Sequence, residues 1–223
     1  MVNSLVQFIE VSGLLLLKGF ITTFLLSLIA IAIGLCCGMI IGILLCRKLR
    51  IPFFASIIGF YVFCVRGIPF FVQLLIVYFA LPNLIGIELS PFFAGALSLG
   101  NCSAACIAEI VRAGINTLPP GQWEASEALG YSTYATIKYI IVPQVFAHII
   151  PELFNEFISI VLCTPVISHV GALELTKAGA NIIAYQMNPF PVYAALVVLY
   201  LLITTCILSI AKYLEWRFCN GRR

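Results

Sequence analysis

The chain has 223 residues, 62% of them hydrophobic and 9% charged, with a mean hydropathy of +1.12 and a formal net charge of +3. Soluble domains carry about 25% charged residues, so this composition excludes a soluble globular protein and indicates one membrane domain spanning residues 1–223. There is no basic stripe to suggest nucleic-acid binding and no nucleophile–base constellation to suggest chemistry by the chain itself.

The N-terminal stretch MVNSLVQFIE lacks a basic n-region and a small-residue cleavage site, and is not read as a cleaved signal peptide. Five apolar segments then follow, each long enough for the roughly 20 helical residues a bilayer requires. The first covers about 20–46 and is closed by Arg47, Lys48 and Arg50. The second covers about 53–81 and is followed by the turn-rich stretch 82–91. The third, about 92–111, ends at Arg112; the fourth, about 144–170, is punctuated by Pro151 and Pro165. The fifth, about 192–211, precedes Lys212, Arg217, Arg222 and Arg223. In a five-span arrangement those basic residues and Lys138 share one side, leaving only Lys18 and Lys177 on the other. The positive-inside rule then puts the N-terminus outside and the C-terminus in the cytoplasm. It makes 113–143 a cytoplasmic loop and turns 82–90 and 171–191 outward. The latter, with Glu174, Lys177, Asn181, Gln186 and Asn188, is expected to form a short surface helix.

The nine cysteines (36, 37, 46, 64, 102, 106, 163, 206 and 219) lie mostly in apolar runs, where the thiol behaves as a small hydrophobe. Cys102 and Cys106 share a helix face, but no His or acidic cluster completes a metal site around them. Neither a metal nor an organic cofactor is expected. His148 and His169 have no catalytic neighbours and are read as packing or interfacial residues.

The cytoplasmic loop carries the most readable local signals. Pro119 and Pro120 favour a helix start. Glu124 and Glu127 are expected early in that helix, where its positive dipole end favours acids. Gly130 suits a left-handed helix end, and Ser132 or Thr133 can cap the next helix. The alternative is an interfacial helix pair held at the membrane surface by Trp123, Tyr131, Tyr134 and Tyr139.

With Glu124-Ala125-Ser126-Glu127-Ala128-Leu129-Gly130 followed by Ile141-Val142-Pro143, the chain resembles the membrane subunits of bacterial ATP-binding-cassette importers. Gly121-Gln122-Trp123 narrows the resemblance to the polar amino-acid permeases. So do Arg66-Gly67-Ile68-Pro69 with Gln73, Ala108-Glu109-Ile110-Val111-Arg112, Pro143-Gln144, Asn155-Glu156-Phe157-Ile158, and Gly171 with Glu174-Leu175. These motifs occur in order along nearly the whole chain.

The resemblance implies an all-α integral membrane fold of the type I importer kind, with five spanning helices and a coupling helix between spans three and four. It implies partners: cytoplasmic ATPase subunits, an extracytoplasmic solute-binding protein, a second permease subunit (a copy or a paralogue), an amino-acid substrate and the surrounding lipid. The implied setting is the bacterial inner membrane. Glu124, Ala125, Ala128 and Gly130 match the coupling motif, while Ser126-Glu127 depart from the family's commoner small-then-Arg pattern. No G-x-x-x-x-G-K-[ST] loop occurs, so ATP hydrolysis is expected on a partner.

Glu156 lies in the apolar fourth span, where a charge costs on the order of 2.5–3.5 kcal/mol and usually faces a pathway. The family places this position beside the bound amino acid; the competing reading is a helix-packing carboxylate paired with Arg66 or Asn155. Ser103 keeps a small polar pathway position between Cys102 and Cys106, and Arg66 is either a pathway residue or a snorkelling charge. Cys163 replaces an acid usual in the family, which argues for a neutral polar substrate such as glutamine over arginine. Pro165 breaks the helix nearby and frees carbonyls to line a cavity. The alternative function is a stand-alone secondary carrier or channel. Such carriers usually show internal repeats and intramembrane ion-coupling residues, whereas this chain has no evident repeat and no Asp.

Overall fold

The computed structural model describes residues 2–46 and 52–220, with side chains at 12–46 and 53–218. Arg47, Lys48, Arg50, Arg222 and Arg223, which weigh in the orientation argument, lie outside the described residues, as does the Cys219 side chain. Among the described residues the secondary structure is entirely helical.

Helix α1 runs Val2–Leu44 and α2 runs Pro52–Gly67. The second apolar segment is not one uninterrupted helix. It stops at Gly67, where Pro69 disfavours the helical conformation of Ile68. It resumes as α3 (Phe70–Leu75), a π turn (Ile76–Ala80) and α4 (Leu81–Ile85). The Gln73 amide donates to the Ile68 carbonyl at 2.9 Å, satisfying an acceptor beside the break.

Helix α5 runs Pro91–Asn116, α6 Pro120–Ala128 and α7 Thr133–Thr136. A π turn (Ile137–Ile141) feeds α8 (Val142–Cys163), which passes through Pro151 and tightens into a 3-10 segment, Thr164–Val170. Pro165 sits in the first turn of that segment, and the Thr164 hydroxyl donates to the Val161 carbonyl at 2.8 Å. The expected break near Pro165 is therefore a change of helix type, with one of the adjacent carbonyls satisfied locally. Helix α9 (Leu175–Gln186) and α10 (Pro189–Glu215) complete the order. Among the described residues, four helical stretches are long and apolar enough to cross a membrane, or five if the broken second segment counts as one.

The chain forms two compact units. The first comprises Met1–Ala32, Ile68–Gly100 and Ile158–Cys206. Its core joins Leu16, Leu175, Ile182, Val192 and Leu196. The loop 171–191 does form a helix, α9, but not merely a surface one: Leu175, Ala178, Gly179 and Ile182 are buried. Glu174 is completely buried, at 0% exposure. Its carboxylate caps α9 by accepting from Lys177 N–H at 2.6 Å and Thr176 N–H at 2.9 Å. The Tyr200 hydroxyl donates to it at 3.1 Å, while Leu175 N–H donates to Thr23 Oγ1 at 3.0 Å. Burial pushes the Glu174 carboxyl above the ordinary carboxylate value of 4.5.

The second unit comprises Ile33–Gly67, Asn101–Phe157 and Ile207–Arg223. Here Gly34, Gly38 and Gly42 form a small-residue stripe along α1 that lets α5 approach closely. A Cβ at Gly34 would lie 2.6 Å from Ser103 Oγ, one at Gly38 2.7 Å from Ile107 Cβ, and one at Gly42 2.6 Å from the Ala108 carbonyl. Val62 and Val65 of α2 pack with Ala105 and Ala108 of α5, and Tyr61 donates to Asn101 Oδ1 at 2.6 Å. This packing fixes the face of α5 that carries Cys102, Ser103 and Cys106.

Candidate coupling loop and pathway cleft

Helix α6 begins where Pro119, with ψ 137°, is extended and Pro120 opens the first turn. Its first turn contains no acid. Glu124 and Glu127 come later than expected, so the helix dipole does not stabilise them as it would at the N-terminus, and Glu127 lies nearer the unfavourable end. Both carboxylates are exposed, together with Ala125, Ala128 and Leu129. Trp123 and Ser126, three residues apart, form the opposite face and are 8% and 2% exposed. Trp123 is therefore a packed residue, not a membrane-surface anchor; Tyr131, Tyr134 and Tyr139 are exposed. Lys138 Nζ lies 5.9 Å from the Tyr134 ring centroid and 5.2 Å from that of Tyr139.

The end of α6 is a Schellman closure. Gly130 has φ 80°, a left-handed conformation, with Gly130 N–H donating to the Glu127 carbonyl at 2.9 Å and Tyr131 N–H to the Ser126 carbonyl at 3.0 Å. Ser132 rather than Thr133 caps α7, accepting from Ala135 N–H at 3.3 Å. The loop thus presents Glu124, Ala125 and Ala128 outward on a short helix whose turn depends on Gly130.

The second unit also holds a cleft of about 530 Å³ lined by Arg66, Cys106, Glu109, His148, Glu152 and Glu156, among others. Arg66 and Glu156 are thereby brought into one site, but they do not pair as a packing bridge. Arg66 reaches Glu109 at 4.0 Å. Glu109 accepts a two-pronged contact from Arg112, with Nε at 2.9 Å from Oε2 and Nη2 on Oε1. The Ser103 hydroxyl is buried and faces the Glu156 carboxylate without closing a hydrogen bond to it. Cys163 shares α8 with Glu156 but falls in the first compact unit.

Sequence reasoning named Glu109 and Arg112 only as members of a family motif and did not foresee their pairing or the place of Glu152 in the cleft. The three-residue spacing of Glu109 and Arg112 on an apolar helix was the available signal. His148 lines the cleft, and the exposed His169 stacks edge-on against Phe71 at 5.3 Å between ring centroids.

The family described as "Binding-protein-dependent transport system inner membrane component" matches residues 34–218, a stretch that includes both the α6 loop and the cleft. The chain belongs to that family. It is a multi-pass permease of the bacterial inner membrane, with the type I importer fold.

Named relatives match over most of their length. A Rickettsia typhi protein with the provisional name glutamine transport system permease protein GlnP is 36% identical over 203 residues, covering 91% of this chain and 92% of the relative. The arginine transport system permease protein ArtQ of Bacillus subtilis (strain 168) is 35% identical over 162 residues, covering 73% of each chain. Among solved structures, an amino acid ABC transporter crystallised with histidines superposes with a TM-score of 0.85 at 31% identity, covering 96% of this chain and 97% of that one.

Proposed function

We propose that this permease is the pathway-forming subunit of an ATP-driven amino-acid importer, and that α6 couples it to a separate ATPase. The observation that carries this reading is the division of α6. One face is packed through Trp123 and Ser126, and the other exposes Glu124, Ala125 and Ala128 on a helix locked by the Gly130 turn. An exposed, conformationally fixed ridge on a lipid-embedded protein suits a groove in a partner. In the arrangement we favour, residues 1–223 form one five-span permease domain with the N-terminus outside, and 113–143 faces the cytoplasm. ATP binding closes two ATPase subunits, α6 follows them, and the spans open toward an extracytoplasmic solute-binding protein; hydrolysis reverses the motion. A ligand shifts such an equilibrium only by binding its two states differently, so α6 stays seated through the cycle. A second permease subunit completes the pathway.

The cleft supplies two of the pathway groups, Glu156 and Arg66, and the buried Ser103 adds a third from outside its lining. Glu156 takes the substrate ammonium, Ser103 adds a hydroxyl beside it, and Arg66 is the counter-charge for a carboxylate. Relatives are named for glutamine and for arginine. Cys163, standing where the family usually has an acid, favours the neutral substrate, and we assign a polar amino acid of the glutamine type.

The test is reconstitution of the transporter, purified from membranes through a tag on this chain. Glutamine accumulation in proteoliposomes that requires internal ATP and added binding protein is expected. Accumulation by the pure chain without an ATPase overturns the reading, and uptake of arginine alone overturns the substrate assignment.

A further inference from the structure

Helix α6 does not meet the rest of its unit through apolar packing alone. Ser126 makes three polar contacts from a buried position. Its carbonyl accepts from Tyr131 N–H at 3.0 Å, its hydroxyl donates to the Trp123 carbonyl at 2.8 Å, and the same oxygen accepts from Thr136 Oγ1 at 3.1 Å. Thr136 is 3% exposed, and its single hydroxyl hydrogen is shared between Ser126 Oγ and the Ser132 carbonyl, each at 3.1 Å. This is a buried cross-link between two helices across the Gly130 turn.

What Thr136 leads into makes the cross-link consequential. It is the last residue of α7, and the backbone continues through the π turn Ile137–Ile141 into α8 without leaving helical geometry. Ile137 and Ile141 are themselves buried. Glu156 is 20 residues beyond Thr136, about 30 Å along a helix at 1.5 Å per residue. A push on α6 therefore reaches α8 through the exposed turn 129–132, through the buried hydroxyl bridge that spans it, and at the surface through the Gln144 amide, which donates to Gln122 Oε1 at 3.4 Å. Gly130, at φ 80° with no side chain to pack, makes the turn. The bridge fixes the angle between the helices that the turn joins.

We propose that Ser126 and Thr136 are positioning residues for energy coupling. Their hydroxyl bond makes the exposed ridge of α6 and the base of α8 move as one body. The inference rests on α6 being the coupling helix.

The experiment measures substrate imported per ATP hydrolysed by the reconstituted transporter, with Thr136→Val, Thr136→Ser, Ser126→Ala and the double variant Ser126→Ala/Thr136→Val. Valine keeps the shape of threonine and removes the hydroxyl; serine keeps the hydroxyl and removes a methyl. Loss of one such hydrogen bond shifts the balance between bridged and loosened helices by about fivefold. Import per ATP is expected to fall by about that factor in Thr136→Val and Ser126→Ala, to fall no further in the double variant, and to be restored in Thr136→Ser. A role in packing alone gives the reverse order, with valine tolerated and serine impaired, and overturns the proposal. So do single effects that simply multiply in the double variant. A wild-type transporter whose ATP hydrolysis does not respond to substrate-loaded binding protein overturns the coupling reading itself, so the two failures are distinguishable.

Discussion

Glu124 and Glu174 are both glutamates in loops between spanning segments, and their surroundings differ completely. Glu174 is enclosed, accepts two backbone N–H groups at the start of α9 and receives the Tyr200 hydroxyl. Glu124 stands on the exposed face of α6, past its first turn. The difference separates two uses of one side chain. A buried acid with its oxygens engaged by its own fold is a structural element, because removing it strands the donors around it. An exposed acid on a helix whose other face is packed is available to something outside the chain.

Substitutions at the two kinds of site put that contrast to the test. The largest effect on the fold is expected at the buried acid. Glu174→Ala removes the α9 cap and leaves the Tyr200 hydroxyl without that acceptor, costing about 2–3 kcal/mol, read as a lowered unfolding midpoint in detergent. Glu124→Ala should move the same midpoint by no more than about 0.5 kcal/mol, as for exposed sites in general. Equal losses at both sites would erase the distinction.

Next comes the functional counterpart. Glu124→Lys is expected to lower amino-acid uptake by cells more than about tenfold, the consequence of about 1.4 kcal/mol of lost partner affinity, with normal membrane insertion. Unchanged uptake would count against a docking face on α6.

A smaller effect is expected at the turn. Space around Gly130 is free, with no heavy atom beyond its chain neighbours within 4 Å of where a Cβ would stand, so Gly130→Ala acts through the left-handed backbone alone. That change should cost about 1 kcal/mol, measurable as a midpoint shift.

The smallest effect is a pH slope. Burial raises the Glu174 carboxyl above 4.5, so the folded state holds its proton at pH values where the unfolded chain has released it. Stability contributed at this site is therefore present at low pH and falls as pH rises from about the ordinary carboxylate value through the raised one. Glu174→Gln should flatten that part of the stability–pH curve, and an unchanged slope would mean that the carboxylate is not the titrating group.

What the sequence made legible was local. The start of α6 at Pro120, the Gly130 turn and the Ser132 cap all depend on residues within a few positions of one another, and each carries its own conformational preference. The apolar spans were legible because bilayer thickness imposes their length. The interruption at Ile68-Pro69 had a visible cause in the proline, but hydropathy averaged across it and read one segment.

The remaining features depend on residues far apart in sequence. Nothing near Glu174 indicates that Tyr200 will donate to it or that Thr23 will accept from the next residue's N–H. Loop composition therefore suggested a surface helix where the structure has a packed one. The charge pairing in the cleft was missed for a related reason. The sequence offered Arg66 only Glu156 as an acidic partner, and the placement of the spans is what resolves the 4.0 Å contact to Glu109 instead. The Ser126–Thr136 bond crosses a turn of known type, but each residue alone resembles an ordinary small helix residue.

In the proposed arrangement an ATPase subunit on the cytoplasmic side holds the exposed face of α6. A photoreactive residue placed at Ala128 and irradiated in intact membranes reads out that contact, with one at Leu84 as the opposite-face control. A covalent adduct between this chain and an ATPase subunit from Ala128, and none from Leu84, is the predicted result. No ATPase adduct from Ala128, or capture at that position by a protein of the external face, would contradict it.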